Sequence, residues 1–191
     1  MRSSKLQKQE LMAVAQSMKI KILLILFVLA NCSIAKDNNF DNNDFTLSYQ
    51  SITLAQWPEI ISAYKGKVLV VDMWATWCSS CLKRFPHMVK MHNDYKDKGV
   101  AFISLLLEDP EEPEAIENAK KFLIKQKANF DHYFMNENIM TSFEKLDLLG
   151  IPTVFVYSQD GKLTYRLTGD NPNKQFTEKD IEEAINELLL R

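Results

Sequence analysis

Blocks of hydrophobic and polar positions alternate along the chain and predict alternating strands and helices. Two apolar, β-branched runs at 67–74 and 100–107 predict strands that are buried on both faces, as in parallel sheets. A third run at 153–157, the turn sequence SQDG and a returning strand at 162–167 together predict a hairpin. Residues 52–64 predict a short strand or turn and then a small helix.

Helical spacing of apolar residues fills the segments between these strands. Helices are predicted at 79–97, at 113–127 and after Thr177, which is expected to be the N-cap of the last helix. The segments 132–135 and 138–146 are compatible with a short strand and a short helix. The order β-α-β-α-β-α-β-β-α predicts an α/β domain with a central mixed β-sheet and helices on both faces.

The N-terminal segment has a different pattern and predicts a signal peptide over residues 1–35. A basic stretch at Met18 is followed by nine apolar residues, 22–30, and then by small residues, which is the pattern of a secretory signal. The apolar run is shorter than the roughly 20 residues that cross a bilayer. A translation start at Met18 is an alternative to the long polar leader that precedes it.

Two processing sites compete in this leader. Ser33-Ile34-Ala35 fits signal peptidase, whereas the sequence LANC ending at Cys32 resembles a lipoprotein box in which Cys32 is lipidated. In the second case the lipid anchor would be the protein's contact with the membrane. Both alternatives predict a protein outside the cytoplasm, in the periplasm or cell envelope. The Asn- and Asp-rich residues 36–50 are predicted to be a flexible spacer before a domain at 51–191.

The charge balance argues against a nucleic-acid partner. The net charge is −2, and the leader holds an excess of basic residues, so the remaining chain is acidic. Binding to a phosphate backbone needs clustered Lys and Arg.

The segment WATWCSSC contains the candidate chemistry, Cys78 and Cys81. A structural zinc site needs four ligands, and the three histidines are not spaced to complete one, so no metal is predicted there. Copper(I) could be bound by the two thiolates alone. An inert bridge around so small a ring would stabilise the fold little. A redox couple is the favoured interpretation, and it needs no cofactor other than the Cys78–Cys81 disulfide.

The position of the pair supports redox chemistry. Cys78 follows a predicted strand and opens a predicted helix, where free N–H groups and the helix dipole stabilise a thiolate. Cys78 is therefore expected to attack a disulfide and Cys81 to resolve the mixed disulfide. Trp77, directly before Cys78, is expected to flank the site.

The segments VVDMWATWCSSC and GIPTVFVYSQDGKL, with Pro86 between them, resemble the thioredoxin superfamily. WATWC, the leader and the segment between 108 and 146 resemble its bacterial extracytoplasmic branch, the TlpA/ResA-like thiol-disulfide oxidoreductases. The resemblance covers roughly residues 60–181 and implies a thioredoxin-like fold. It also implies protein thiols and disulfides as substrates and a membrane electron donor.

Several residue roles follow from the resemblance alone. Pro152 would be a cis-proline that faces the cysteines, and Ile151 would offer its backbone to an extended substrate. Asp72 matches the buried carboxylate that helps to move the proton of the resolving cysteine. Glu108 falls where ResA-like proteins often carry an active-site glutamate, although it also begins an acidic run that suits a helix N-terminus.

The dipeptide Ser79-Ser80 departs from the Gly-Pro or Pro-Pro that is common in these families. Because the dipeptide tunes thiolate stability, this departure leaves the direction of electron flow open. The resemblance to TlpA/ResA-like proteins implies a reductase. A disulfide oxidase or isomerase and a copper(I)-binding chaperone remain alternatives.

Overall fold

The structure is a computed structural model that describes residues 46–169 and 175–191. Its strands are β1 Tyr49–Ile52, β2 Val68–Trp74, β3 Val100–Leu106, β4 Asp131–Met135, β5 Thr153–Tyr157 and β6 Leu163–Thr168. A 3-10 turn at Leu54–Gln56 precedes the first helix, and the helices are α1 Trp57–Ala63, α2 Ser79–Tyr95, α3 Pro113–Lys125, α4 Ile139–Lys145 and α5 Glu178–Leu189.

The six strands form one mixed sheet in the order β1-β4-β3-β2-β5-β6. The strands β1, β4, β3 and β2 run parallel, whereas β5 pairs antiparallel with both β2 and β6. Every residue of β2 is buried, as its continuous apolar run predicts for a central strand. The predicted mixed sheet is confirmed.

Helices cover both faces of this sheet, as predicted. Residues of α2, α3 and α5 pack on one face in a core that includes Val70 and Trp74 of β2. Residues of α1 and α4 pack on the other face with Leu69, Val71 and Met73. The alternation along β2 is the period of two that a strand imposes. The side chains of Val70, Asp72 and Trp74 therefore point towards α2.

The predicted boundary between spacer and domain needs a correction. Tyr49 and Gln50, which the sequence analysis assigned to the spacer, belong to β1, and β1 pairs in parallel with β4. The N–H of His132 donates to the Ser48 carbonyl at 2.9 Å, and the partly buried Tyr49 ring packs on the core. The Asn- and Asp-rich sequence just before β1 gives no indication of a strand. The hydrogen bonds of β1 come from β4, which is distant in sequence.

Two short segments add one β–α unit to the predicted order. The segments 132–135 and 138–146, whose sequence patterns are weak, form the strand β4 and the helix α4. The last helix begins as predicted, because Thr177 is its N-cap and the Asp180 side chain accepts from the Thr177 N–H at 2.6 Å. The predicted signal peptide with Met18 and Cys32, and the spacer up to residue 45, lie outside the described residues.

No helix within 46–169 and 175–191 combines the length and the apolar character that a membrane span requires.

Candidate active site

The two cysteines lie where β2 gives way to α2. Cys78 is the N-cap of α2, and its sulfur accepts a hydrogen bond from the Cys81 N–H at 3.2 Å. The two residues form a disulfide. The Ser80 hydroxyl lies 3.5 Å from the Cys78 sulfur. The first turn of α2 therefore surrounds the Cys78 sulfur with donors, which is an arrangement that favours a thiolate when the disulfide is reduced.

The two sulfurs differ in access to solvent. Cys78 is 7% exposed and Cys81 is fully buried, so an incoming thiol or disulfide reaches Cys78 first. Trp77 is 58% exposed and is the residue before Cys78. Trp77 therefore presents an exposed aromatic ring in the loop directly before the accessible cysteine.

Pro152 lies at the same end of the sheet. The Ile151–Pro152 peptide bond is cis, as the resemblance implies. Thr153, the next residue, pairs in register with Met73 near the end of β2, and this pairing brings the proline to the strand end from which the cysteine loop departs. Ile151 is partly buried and packs against both cores.

Asp72 lies beneath α2 and is fully buried. Its Oδ1 accepts a hydrogen bond from Nη2 of Arg84, which lies on α2 and is itself 7% exposed. Burial raises the pKa of the Asp72 carboxyl above its ordinary value, and the Arg84 guanidinium opposes that rise. The site therefore holds a carboxyl group with altered proton affinity on the face that packs against the cysteine helix.

Arg84 is the residue that sequence reasoning missed. The signal was present, because a carboxylate inside a buried strand requires a partner and Arg84 lies three residues after Cys81, on the same face of the helix. Of the apolar residues that give this helix its helical spacing, Phe85 is buried, whereas Leu82 and Val89 are only partly buried. The buried positions of α2 are Cys81, Arg84, Phe85, Met88 and Met91.

Glu108 anchors the loop before Cys78. Its side chain is 2% exposed, and its Oε1 accepts a hydrogen bond from the Thr76 N–H. The Leu107 N–H donates to the Trp74 carbonyl at 2.9 Å, which ties the same loop to the end of β3. The remaining glutamates of the acidic run, Glu111, Glu112 and Glu114, are exposed. Glu108 therefore differs from the rest of the run in both burial and contact.

The histidines do not join the cysteines. His132 lies in the core, where its Nε2 donates to the Ala128 carbonyl at 3.0 Å and its Nδ1 accepts from the Ser104 hydroxyl at 2.7 Å. Burial lowers its pKa to about 4, so the ring is neutral at pH 7. Within the described part of the chain, no cluster of three or more His, Cys, Asp or Glu could hold a metal ion.

Comparisons with known proteins identify the family. The Redoxin family model matches residues 59–185. The chain belongs to the Redoxin family.

Individual relatives agree with this assignment. Thiol-disulfide oxidoreductase ResA from Bacillus thuringiensis subsp. konkukian is 30% identical over 117 residues, which is 60% of this chain and 62% of that protein. A solved structure of a putative thiol:disulfide interchange protein DsbE from Chlorobium tepidum is 28% identical with a TM-score of 0.55, covering 68% of this chain and 84% of that one.

The fold likeness extends to more distant structures. A putative thioredoxin from Neisseria meningitidis matches with a TM-score of 0.55 at 17% identity, over 68% of this chain and 79% of that one. The predicted thioredoxin-like fold and the resemblance to TlpA/ResA-like proteins are therefore confirmed. The chain spans 62% of the length of the first ResA relative that it matches.

Proposed function

We propose that this chain is an extracytoplasmic thiol-disulfide oxidoreductase that exchanges disulfides with protein substrates and works as a reductase. The observation that carries the proposal is the Cys78–Cys81 disulfide at the N-terminus of α2, with Cys78 as the accessible sulfur. Relatives named thiol-disulfide oxidoreductase and thiol:disulfide interchange protein support the same chemistry. The reaction needs no metal or nucleotide cofactor.

In the first step, the Cys78 thiolate attacks one sulfur of a substrate disulfide. A bond forms between Cys78 Sγ and that sulfur, the substrate S–S bond breaks, and the other substrate sulfur leaves as a thiolate. The N–H of Cys81 and the Ser80 hydroxyl, which lie at the Cys78 sulfur, would stabilise the negative charge on the attacking thiolate.

In the second step, Cys81 resolves the mixed disulfide. The Cys81 thiol gives its proton to a base, for which Asp72 is the buried candidate beneath α2. The resulting thiolate attacks Cys78 Sγ, and the substrate leaves as its second thiolate. Two electrons pass from the protein dithiol to the substrate disulfide, and the Cys78–Cys81 disulfide is the oxidised product.

Neighbouring residues would hold the substrate. Trp77 offers an exposed ring beside Cys78, and the backbone of Ile151 before the cis-Pro152 would bind an extended segment of the substrate. Glu108 would keep the Cys78 loop in place through the Thr76 N–H. These contacts would orient the substrate disulfide for in-line attack.

The reductive direction requires a source of electrons. The protein would be returned to its dithiol form by a membrane electron donor, as the resemblance to TlpA/ResA-like proteins implies. The predicted signal peptide at 1–35 supports an extracytoplasmic location, and lipidation of Cys32 would keep the protein near such a donor.

Trapping of the mixed disulfide tests the exchange chemistry. Reduced Cys81→Ser protein is expected to accumulate a covalent complex with a disulfide-bonded protein substrate, because the resolving thiol is gone. The matched variant Cys78→Ser should form no complex, since Cys81 is fully buried. Equal trapping by both variants, or stoichiometric copper(I) binding without any exchange, would contradict the proposal.

A further inference from the structure

Arg84 is unusual among the cations of α2, because it is buried in the protein. Lys83 and Lys90 of the same helix are exposed, whereas Arg84 is 7% exposed and faces the sheet. A charge in that environment is costly unless a partner compensates for it. The partner is Asp72, whose Oδ1 accepts the hydrogen bond from Arg84 Nη2.

The direction of the Arg84 side chain relates this ion pair to the cysteines. Side chains on a helix lean towards its N-terminus and cover the preceding turn. The preceding turn of α2 contains Cys81, which is also buried and belongs to the same core. The Phe176 ring lies 4.7 Å from the guanidinium carbon and covers it from the side of the C-terminal segment. Arg84 therefore holds the Asp72 carboxylate beneath the turn of the resolving cysteine.

The ion pair uses only part of its hydrogen-bonding capacity. Asp72 Oδ2 is buried and has no hydrogen-bond partner among residues 46–169 and 175–191, and the same holds for Nε and Nη1 of Arg84. Buried polar atoms are usually satisfied. One carboxylate oxygen is thus fixed by Arg84, and the other is left available to a proton.

Arg84 is the charge that acts on this carboxyl group. On the sheet, the register neighbours of Asp72 are Ser104 on β3 and Val154 on β5, and neither carries a charge. From α2, Arg84 faces Asp72 and donates to its Oδ1, and Cys81 is buried in the core on the same face of the sheet. Burial raises the pKa of Asp72 and Arg84 lowers it, so loss of the guanidinium would raise it further.

We propose that Arg84 is a positioning residue for proton transfer: it fixes Asp72 Oδ1 and favours the charged carboxylate, so that Oδ2 takes the proton of Cys81. The proposal rests on the proposed function and adds a residue to it. As the Cys81 S–H bond breaks, an O–H bond forms at Asp72. The Cys81 thiolate then attacks Cys78 Sγ and releases the substrate thiolate, which takes up a proton from solvent.

Single-turnover kinetics across a range of pH test the proposal in the full chain. A disulfide-bonded peptide with a fluorescent reporter separates formation of the mixed disulfide from its resolution. Arg84→Gln should slow resolution at neutral pH by about tenfold or more, and the deficit should shrink as the pH rises and Asp72 ionises. Arg84→Lys, which keeps the charge, should restore most of the rate. A structural defect would slow the step equally at every pH, and that result would overturn the proposal.

Two comparisons isolate the path through Asp72. The double variant Asp72→Asn/Arg84→Gln should resolve at the same rate as Asp72→Asn alone, because Arg84 acts through the carboxylate. Lys83→Gln removes the same charge from an exposed position of α2 and should leave the rate unchanged. A further loss in the double variant, or an equal loss in Lys83→Gln, would overturn the assignment.

Titration of the Asp72 carboxyl group in the oxidised protein provides a readout that needs no activity. Carbon NMR of the labelled side chain should show a higher pKa in Arg84→Gln than in the parent protein. An unchanged pKa would overturn the role of Arg84 even if exchange activity is normal. Failure of the parent protein to exchange disulfides would instead refute the proposed function, and the titration would distinguish the two cases.

Discussion

Two buried polar groups on the same face of the sheet, His132 and the Asp72–Arg84 pair, differ in how many of their hydrogen-bonding atoms have a partner. Ser104 pairs in register with Asp72 on one side and with His132 on the other. Both ring nitrogens of His132 are hydrogen-bonded, whereas Asp72 Oδ2 and two Arg84 nitrogens have no partner within the described ranges. A complete network is what a packed core requires. The incomplete pair joins Asp72 of β2 to Arg84 of the cysteine helix, and local rules of folding are most often broken at functional sites.

The first prediction separates the two groups by kinetics. Asp72→Asn should slow resolution by Cys81 about 100-fold at neutral pH, because general acid–base assistance contributes at least this much. His132→Gln should change the same rate by less than about twofold, since its ring lies outside the proposed proton path. Single-turnover measurements of the rate of resolution in the two variants test this prediction. Equal slowing in both variants would contradict it.

The second prediction separates them by the pH dependence of stability. The unfolded His132 ring takes up a proton below about pH 6.5, whereas the folded ring stays neutral down to about pH 4. The unfolded state therefore binds more protons in this window. The stability that the neutral His132 ring contributes above pH 6.5 is lost as the pH falls towards 4. A shift from about 6.5 to about 4 makes this loss about 3 kcal/mol between pH 7 and pH 4.

Urea denaturation from pH 7 to pH 4 measures this dependence. The curve of His132→Gln should be flatter than that of the parent protein, with a residual slope from groups such as His92, whose pKa burial also lowers. Asp72 acts in the opposite sense. Because its folded pKa is raised, its contribution is present below its ordinary pKa and is lost as the pH rises. Identical slopes in the parent and His132→Gln would show that His132 does not titrate as described.

The third and smallest effect concerns Ser104, which lies between the two groups. Ser104→Ala removes the donor to His132 Nδ1 and should lower the free energy of unfolding by about 1 kcal/mol. Resolution by Cys81 should keep its parent rate, measured in the same single-turnover assay. A slower resolution step in Ser104→Ala would mean that the histidine network and the Asp72–Arg84 pair act as one unit.

The Asp72–Arg84 pair also shows which features of the structure could not be predicted from the sequence alone. Local patterns predicted β2, α2 and the position of Cys78, because strand burial and a helix start depend on neighbouring residues. A carboxylate in a buried strand signals that some partner exists, but the identity of that partner depends on a contact between β2 and α2, which the residues next to Arg84 in sequence do not reveal. The same limit hid β1, whose hydrogen bonds come from β4. Contacts between distant segments decided both cases.

Glu108 shows the same dependence on distant contacts. The acidic run from 108 to 114 is uniform in sequence, yet only its first residue lies at the end of β3, buried against the loop before Cys78. Composition could assign the run to a helix N-terminus but could not separate one member from the others. The strand order supplies that separation, because β3 neighbours β2.

The equilibrium redox potential of the Cys78–Cys81 couple, measured in the full chain against glutathione or dithiothreitol buffers, tests the central claim most directly. The account predicts a reversible two-electron couple at about −250 mV or below, within the range of reducing thioredoxins. A potential near about −120 mV would contradict the reductive direction and indicate an oxidant. The absence of any reversible couple would contradict disulfide exchange itself.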